Sequence, residues 1–362
     1  MVYRVMGIMS GSSLDGLDIV CVQLEEQQRK WQMEVLAAEC MPFEGDWADR
    51  LQRATELSAK DHALLDANFG HYIGRQANAF IAKHDLHYKI ALISSHGHTS
   101  FHLPPHATVQ LGHGAAIAAE TGLPVVTDLR AVDVALGGQG APIVPMGEKL
   151  LWSSFRMLLN IGGIANLSVR LGDQYLAYDV CPANRVLNML ALKTGKPFDE
   201  GGKMAASGSI LPDLLMTLNE LPYYGQPYPK SLANDFGTDV VFPKLEVGGW
   251  KVEDLLRTYV EHIAVQVAKA AEQHAHDLDG QPVMMITGGG AFNDFLVGRI
   301  RSLLEPMRVS VEVPDADIVN YKEAIIMALL GVLRWREEPT VMASVTGASR
   351  DSVGGAVWRS QV

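Results

Sequence analysis

Three glycine turns, each placed where an apolar run ends, constrain this chain more than any other feature of it. They are Gly11-Ser12-Ser13-Leu14-Asp15-Gly16, Gly162-Gly163 and Gly288-Gly289-Gly290. Backbone closes onto an anion only where no Cβ intervenes, and the amide and hydroxyl donors of such a turn then face the phosphate. The runs that feed them, Tyr3–Met9, Met157–Asn160 and Val283–Ile286, are short and apolar, as buried strands are. A plain hairpin uses the same residues for its own geometry, so each turn alone reads equally as turn or phosphate loop. Two of the turns, however, open a strand–turn–strand unit. Tyr3–Met9 pairs with Asp18–Leu24, and Met157–Asn160 with Asn166–Leu171. The echo implies two related halves, each opening with a β-hairpin.

Helices and strands alternate between these landmarks. A helical zone is expected from Asp46 to His84, where Leu64, Leu65, Phe69, Tyr72, Ile73, Ala77 and Phe80 recur at three- and four-residue spacing. Val252–Ala271 reads as a long amphipathic helix. Shorter helices are expected at Gly114–Thr121, Arg185–Leu192 and Tyr321–Arg334, and strands at Ile90–Ser94, Pro124–Asp128, Tyr175–Val180 and Val309–Val313. The mixture indicates an α/β protein with two sheets, and 362 residues suit two domains of the usual size.

Charge and cysteine usage narrow the function. A net charge of −11 argues against a nucleic-acid binder, which needs a basic stripe for phosphates. Nucleotide binding through local amides and Mg²⁺ remains compatible with it. Three cysteines, Cys21, Cys40 and Cys181, cannot build a disulfide framework and suit a reducing cytoplasm. No apolar run approaches the roughly 20 residues of a membrane span, and Met1-Val2-Tyr3-Arg4 shows no leader pattern. A Walker A loop is missing, because Gly195-Lys196 is followed by Pro197, and no run fits the dinucleotide glycine fingerprint. His96, His98, His102, His106 and His113 crowd one stretch. No cysteine accompanies them and Pro104-Pro105 interrupts any shared helix face, so a zinc site is disfavoured. His96 and His98, if on one strand, would share a face.

Several segments together make the chain similar to the anhydro-N-acetylmuramic acid kinases, of the actin, sugar-kinase and heat-shock ATPase superfamily. They are Met9-Ser10-Gly11-Ser12-Ser13-Leu14-Asp15-Gly16-Leu17-Asp18, Ser95-His96-Gly97-His98-Thr99, Asp128-Leu129-Arg130, Gly137-Gly138-Gln139-Gly140-Ala141-Pro142, Asn160-Ile161-Gly162-Gly163-Ile164-Ala165-Asn166-Leu167 and Gly288-Gly289-Gly290-Ala291. The resemblance spans most of the chain and keeps the family's order. It implies a two-lobed actin-like ATPase (ribonuclease H-like) fold, with a mixed sheet in each lobe and ATP in an interlobe cleft that opens and closes. The first lobe would hold residues 1–130 and 345–362, the second 131–344.

The resemblance also implies chemistry. Water opens the 1,6-anhydro ring of the cell-wall sugar and O6 takes the γ-phosphate, giving N-acetylmuramic acid 6-phosphate in peptidoglycan recycling. Gly11, Ser12, Ser13, Leu14, Asp15, Gly16, Leu17 and Asp18 would form the first phosphate hairpin, with Asp15 holding Mg²⁺. Gly162 and Gly163 would form the second, and Gly288, Gly289 and Gly290 would pack by the adenosine. Asp179 falls at the family's catalytic aspartate and would take the proton from water. Arg130 would meet the lactyl carboxylate, Glu323 the sugar, and His96 and Thr99 the sugar pocket, with Gly137 to Pro142 at its rim. A homodimer is expected, as in relatives.

Departures from the family pattern cluster near the expected base. The usual Asp-Thr-Gly-Pro-Gly-Asn reads Asp179-Val180-Cys181-Pro182-Ala183-Asn184, which puts Cβ atoms where backbone approaches ligand. His98 stands for a usual glutamine, Asn188 for an aspartate and Phe292 for an arginine, and Leu232-Ala233-Asn234-Asp235 departs from a glycine-arginine-glutamate pattern. Two other readings follow: a kinase for a different amino sugar, or an ATP-binding sensor without turnover. Retention of Asp15 and Asp179 speaks against the sensor.

Overall fold

The computed structural model describes residues 1–11, 14–172, 174–228, 230–233, 235–275, 278 and 280–359. Its strands, in chain order, are β1 (Val2–Met9), β2 (Gly16–Gln27), β3 (Lys30–Pro42), β4 (Leu92–Ser95), β5 (His98–Leu103), β6 (Ala107–Leu111) and β7 (Val125–Thr127), then β8 (Met157–Ile161), β9 (Ile164–Leu171), β10 (Gln174–Pro182), β11 (Val283–Thr287), β12 (Ser310–Glu312) and β13 (Ala356–Trp358). They form a six-stranded sheet, β13-β7-β4-β1-β2-β3, a five-stranded sheet, β10-β9-β8-β11-β12, and a two-stranded sheet, β5-β6. In the first, β1–β2–β3 is an antiparallel meander, and β4 and β7 add in parallel on the other side of β1. In the second, β8–β9–β10 is the meander, and β11 and β12 add in parallel beside β8. The halves foreseen from the glycine turns thus share one strand order, the ribonuclease H-like plan with a mixed sheet in each half.

The chain divides into two compact units, Met1–Ser153 with Tyr321–Val362, and Ser154–Asn320. Residues 131–153 and 321–344, expected with the second lobe, therefore lie in the first unit. The reason is packing. Lys322 and Glu148 form a buried ion pair at 2.9 Å. Gly7 in β1 sits directly under the carbonyl of Ala324, so closely that any Cβ would collide with helix backbone. The helix Ala316–Trp335 begins ahead of the expected Tyr321, which itself is non-helical (φ −116°, ψ 15°).

In the first unit Met6, Ile8, Leu17, Ile19 and Ile93 meet Phe69, Ile73, Ala77 and Phe80 of the helix Ala59–Lys83. Ser58 starts that helix by accepting from the Asp61 amide. In the second unit the helix Val252–Ala275 lays Leu256, Tyr259, Val260, Ile263 and Val267 into the core formed with Leu159, Ile161, Leu167 and Ile286. Both cores follow from the periodicities read above. Two expectations are corrected. β10 does not stop near Asp179; it runs on to Pro182 through a register shift between Asp179 and Cys181. His96 and His98 do not share a strand, because Gly97 (φ +70°) turns the chain between β4 and the β5–β6 hairpin.

Candidate active site

The first glycine turn joins β1 to β2, and Ser12 and Ser13 lie outside the described residues. Gly11 accepts a hydrogen bond from the Leu14 amide at 3.4 Å, and Leu14 takes a left-handed conformation (φ +56°). Asp15 is exposed at the tip. The strand pleat then sorts the next residues. Gly16 is pressed against the Met41 carbonyl of β3, and Leu17 is fully buried in the core, so its side chain does not face a ligand. Asp18 points to the other face, paired across the strands with Cys40. Burial drives its carboxyl up to about 6, the Cys40 hydrogen bond opposes this, and the charges of Asp15 and Glu323 add to it. Ser10 lies 3.2 Å from His98 Nδ1, both buried.

These carboxylates bear on a metal. Among the described residues no three His, Cys, Asp or Glu side chains converge to cage an ion. Mg²⁺ needs no such cage, since one or two carboxylates and phosphate oxygens suffice for it. The hard oxygens of Asp15 and its neighbour Asp18 fit that chemistry.

Arg130 is held on two sides within the first unit. Its Nε donates to His96 Nε2 at 2.8 Å and one Nη to the Gly140 carbonyl at 2.7 Å. Burial draws it down to about 10, with Glu323 opposing, so it stays charged at neutral pH. His96 is itself buried and its Nδ1 donates to the Gly97 carbonyl at 2.9 Å. Burial and the Arg130 charge push His96 down to about 3, so it is neutral and an acceptor for Arg130. His96 is thus a buried partner that holds Arg130. Thr99 is exposed on β5 and meets Gln110 Nε2 at 3.4 Å. The 137–142 loop is pinned by Asp133, only 1% exposed, which accepts from the Gly140 amide at 2.8 Å and the Thr346 hydroxyl at 2.7 Å.

The second unit holds the other two turns. Gly162 and Gly163 form the two-residue connection between β8 and β9. Neither has positive φ, and an added Cβ would meet nothing nearer than 3.5 Å and 3.8 Å respectively. Folding does not demand glycine there. Gly163 O accepts from the Ala183 amide (2.8 Å) and Gly162 O from the Asn184 amide (3.0 Å), which ties the turn to the helix Asn184–Leu192. In the third turn Gly288 (φ +78°) and Gly290 are locked against Asn160 and Ile161, whereas Gly289 has open space before Asn184. The glycines with room are thus Gly162, Gly163 and Gly289.

Asp179 lies at the β10 bulge. Its Oδ2 accepts from the Leu232 amide at 2.9 Å and the Ser231 hydroxyl at 3.2 Å. Its carbonyl accepts from the Tyr223 hydroxyl at 2.7 Å, and its amide donates to the Lys230 carbonyl at 3.1 Å. Both carboxylate bonds found among the described residues fall on Oδ2. Burial raises the carboxyl above its usual range, and the Leu232 and Ser231 bonds oppose this. Cys181 and Ala183 are fully buried and Val180 nearly so, all in the core of the unit. The replaced glycines therefore put their Cβ atoms into the core. Burial pushes the Cys181 thiol up, so it is inert.

Sequence reasoning missed Tyr223 and Asp133, and marked Leu232 only as part of a stretch that departs from the family pattern. Nothing in the spacing of 223 or 232 to 179 announces a contact over 44 or 53 residues.

The model of the family described as anhydro-N-acetylmuramic acid kinase matches residues 3–360. A Salinibacter ruber protein, named anhydro-N-acetylmuramic acid kinase, is 34% identical over 95% of this chain and 93% of its own. Proteins of the same name from a Sulfurovum species and from Vibrio vulnificus are each 32% identical over 98% of this chain, and 99% and 97% of theirs.

Proposed function

Since this chain belongs to the anhydro-N-acetylmuramic acid kinase family, ATP-dependent sugar kinases of cell-wall recycling, we propose that Asp179 is the base of its reaction. The geometry of that carboxylate carries the reading: Oδ2 is held by two donors while Oδ1 is left to orient and deprotonate a water. The water oxygen bonds to the anomeric carbon and the bridging C–O6 bond breaks. O6 takes the γ-phosphoryl group from ATP, and ADP leaves. The raised pKa favours proton uptake at neutral pH more than a solvent-exposed aspartate would.

The other groups position and neutralise, which is most of what phosphoryl transfer asks of a protein. Gly11, Leu14, Asp15, Gly16 and Asp18 in the first unit, with Ser12 and Ser13, receive the phosphates. Gly162, Gly163 and Gly289 offer backbone without Cβ in the second unit, and the locked Gly288 and Gly290 hold the third turn in shape. Mg²⁺, when held by Asp15, supplies charge neutralisation to the phosphate oxygens. Arg130 receives the lactyl carboxylate with the N–H groups that His96 and Gly140 leave to it, and Glu323 and Thr99 meet sugar hydroxyls. His96 serves the sugar through Arg130. The reading extends to a cytoplasmic homodimer. The free thiols Cys21, Cys40 and Cys181 support the compartment, and no described helix is long and apolar enough to cross a membrane.

The test is ADP release with ATP, Mg²⁺ and 1,6-anhydro-N-acetylmuramic acid, on the native chain and Asp179→Asn. Sugar-dependent turnover that collapses in the variant, while nucleotide binding persists, is the expected result. Incorporation of one oxygen from labelled water into the sugar accompanies it. Undiminished turnover in Asp179→Asn refutes the base, and phosphorylation without water uptake refutes the coupled ring opening.

A further inference from the structure

Asp179 is held by a loop, and that loop is in turn held by one buried histidine. His262, fully buried on the helix Val252–Ala275, stands at the centre of a polar chain. Its Nδ1 lies 2.7 Å from Asn219 Oδ1, which also accepts from Gln266 Nε2 at 2.8 Å. An oxygen that already accepts from an amide fixes the direction: His262 Nδ1 donates. Nε2 is therefore an acceptor, and the Tyr224 hydroxyl donates to it at 2.9 Å. Burial pushes His262 down to about 3, so this orientation holds at every working pH.

From Tyr224 the chain continues to the carboxylate. Tyr223, next in sequence, donates to the Asp179 carbonyl at 2.7 Å. Lys230 Nζ donates to the Tyr223 carbonyl at 3.2 Å and lies 4.6 Å over the Tyr223 ring. The Lys230 carbonyl takes the Asp179 amide, and the next two residues donate to Oδ2. One helical turn from His262, the fully buried Tyr259 donates to the Pro182 carbonyl at 2.9 Å, beyond the bulge. A single helix thus grips the Asp179 segment from two sides, with residues spaced to share a face.

We propose that His262 is a positioning residue for Asp179, acting through Tyr224, Tyr223 and Lys230 to Leu232. The proposal rests on Asp179 being the base. If the loop loosens, Asp179 loses the two donors that lower its pKa, so its pKa rises. The acid limb of the rate profile then moves to higher pH. The other titratable groups around Asp179 are Cys181 and Tyr223, both pushed up by burial and so neutral, and Lys230, pulled down by burial.

The experiment compares Tyr224→Phe, His262→Gln, His262→Leu and Asp179→Asn in the coupled assay from pH 5 to 9, with thermal melts. Tyr224→Phe is expected to lower kcat about ten- to a hundredfold, as misplacement of a reacting group does. KM for ATP should stay within about twofold of the native value, since no nucleotide contact is touched. The acid limb should move up, and His262→Gln, which keeps a donor and an acceptor, should retain more kcat than His262→Leu. A folded Tyr224→Phe with native kcat and native acid limb overturns the proposal. Should Tyr224→Phe not fold, Tyr223→Phe, which removes only the hydroxyl on the Asp179 carbonyl, carries the same expectation and the same refutation. Turnover in Asp179→Asn defeats the base reading itself. An inactive Asp179→Asn beside a native-like Tyr224→Phe defeats the positioning role alone.

Discussion

The glycines of the second unit allow one perturbation to be split into a folding effect and a ligand effect. Gly288 has φ +78° and ψ 166°, a region essentially closed to side chains. An alanine Cβ there would lie 2.7 Å from Asn160 Oδ1 and 2.8 Å from the Ile161 carbonyl oxygen. That carbonyl ends a core strand and cannot swing away. Strain of about 1–3 kcal/mol and overpacking of a similar size give Gly288→Ala a loss of about 2–6 kcal/mol. At about 2–4 °C per kcal/mol for a unit of this size, Tm should fall by about 4–24 °C. Gly163→Ala is the counterpart. Its φ is ordinary and its Cβ would meet nothing nearer than Arg185 at 3.8 Å. Tm should hold or rise slightly, because alanine restricts the unfolded chain by about 0.4–1 kcal/mol. If this turn takes phosphate, the same Cβ stands between backbone and ligand. KM for ATP should then rise about tenfold, equivalent to about 1.4 kcal/mol. Differential scanning fluorimetry and the coupled assay read the two effects separately. An unchanged Tm in Gly288→Ala refutes the steric reasoning. A native KM for ATP in Gly163→Ala refutes the phosphate turn.

Two further outcomes follow from burial. Asp18 titrates at about 6 folded against an ordinary 3.8, so its ionisation works against the fold. The cost is absent below the lower value, grows between the two and is complete above the upper, at about 3 kcal/mol. Asp18→Asn should therefore raise Tm above pH 6, with the gap closing toward pH 4; a gap independent of pH in melts without nucleotide or metal counts against the burial argument. Cys181→Gly should leave both KM values native while costing about 2 kcal/mol for the cavity left in the core. A changed KM for the sugar would place that side chain at the ligand instead.

What was legible in the sequence is what short-range pattern carries. Apolar runs ending in glycine marked β1, β8 and β11, and the echo between residues 3–24 and 157–171 became two sheets of one strand order. The polar β5–β6 hairpin gave no such signal, because its exposed Thr99 and His102 and half-buried Thr108 do not alternate against a core. The unit boundaries were not legible, because the contact of Gly7 with Ala324 joins residues more than three hundred apart in the chain. The same holds for the site. Asp179 was reached through family resemblance, while the groups that hold it approach from loops and a helix far along the chain. The replaced glycines show the limit most clearly. In sequence, Val180-Cys181 and Ala183 stand beside the proposed base and look like changes to its ligand face. In the fold the bulge at Asp179 turns the strand so that the carboxylate is left outward, while Val180 and Cys181, consecutive in the chain, both enter the core. A regular strand would have sent one of them outward. The bulge therefore uncouples the identity of these residues from the chemistry of their neighbour, so glycine-to-cysteine and glycine-to-alanine changes here are questions of core packing.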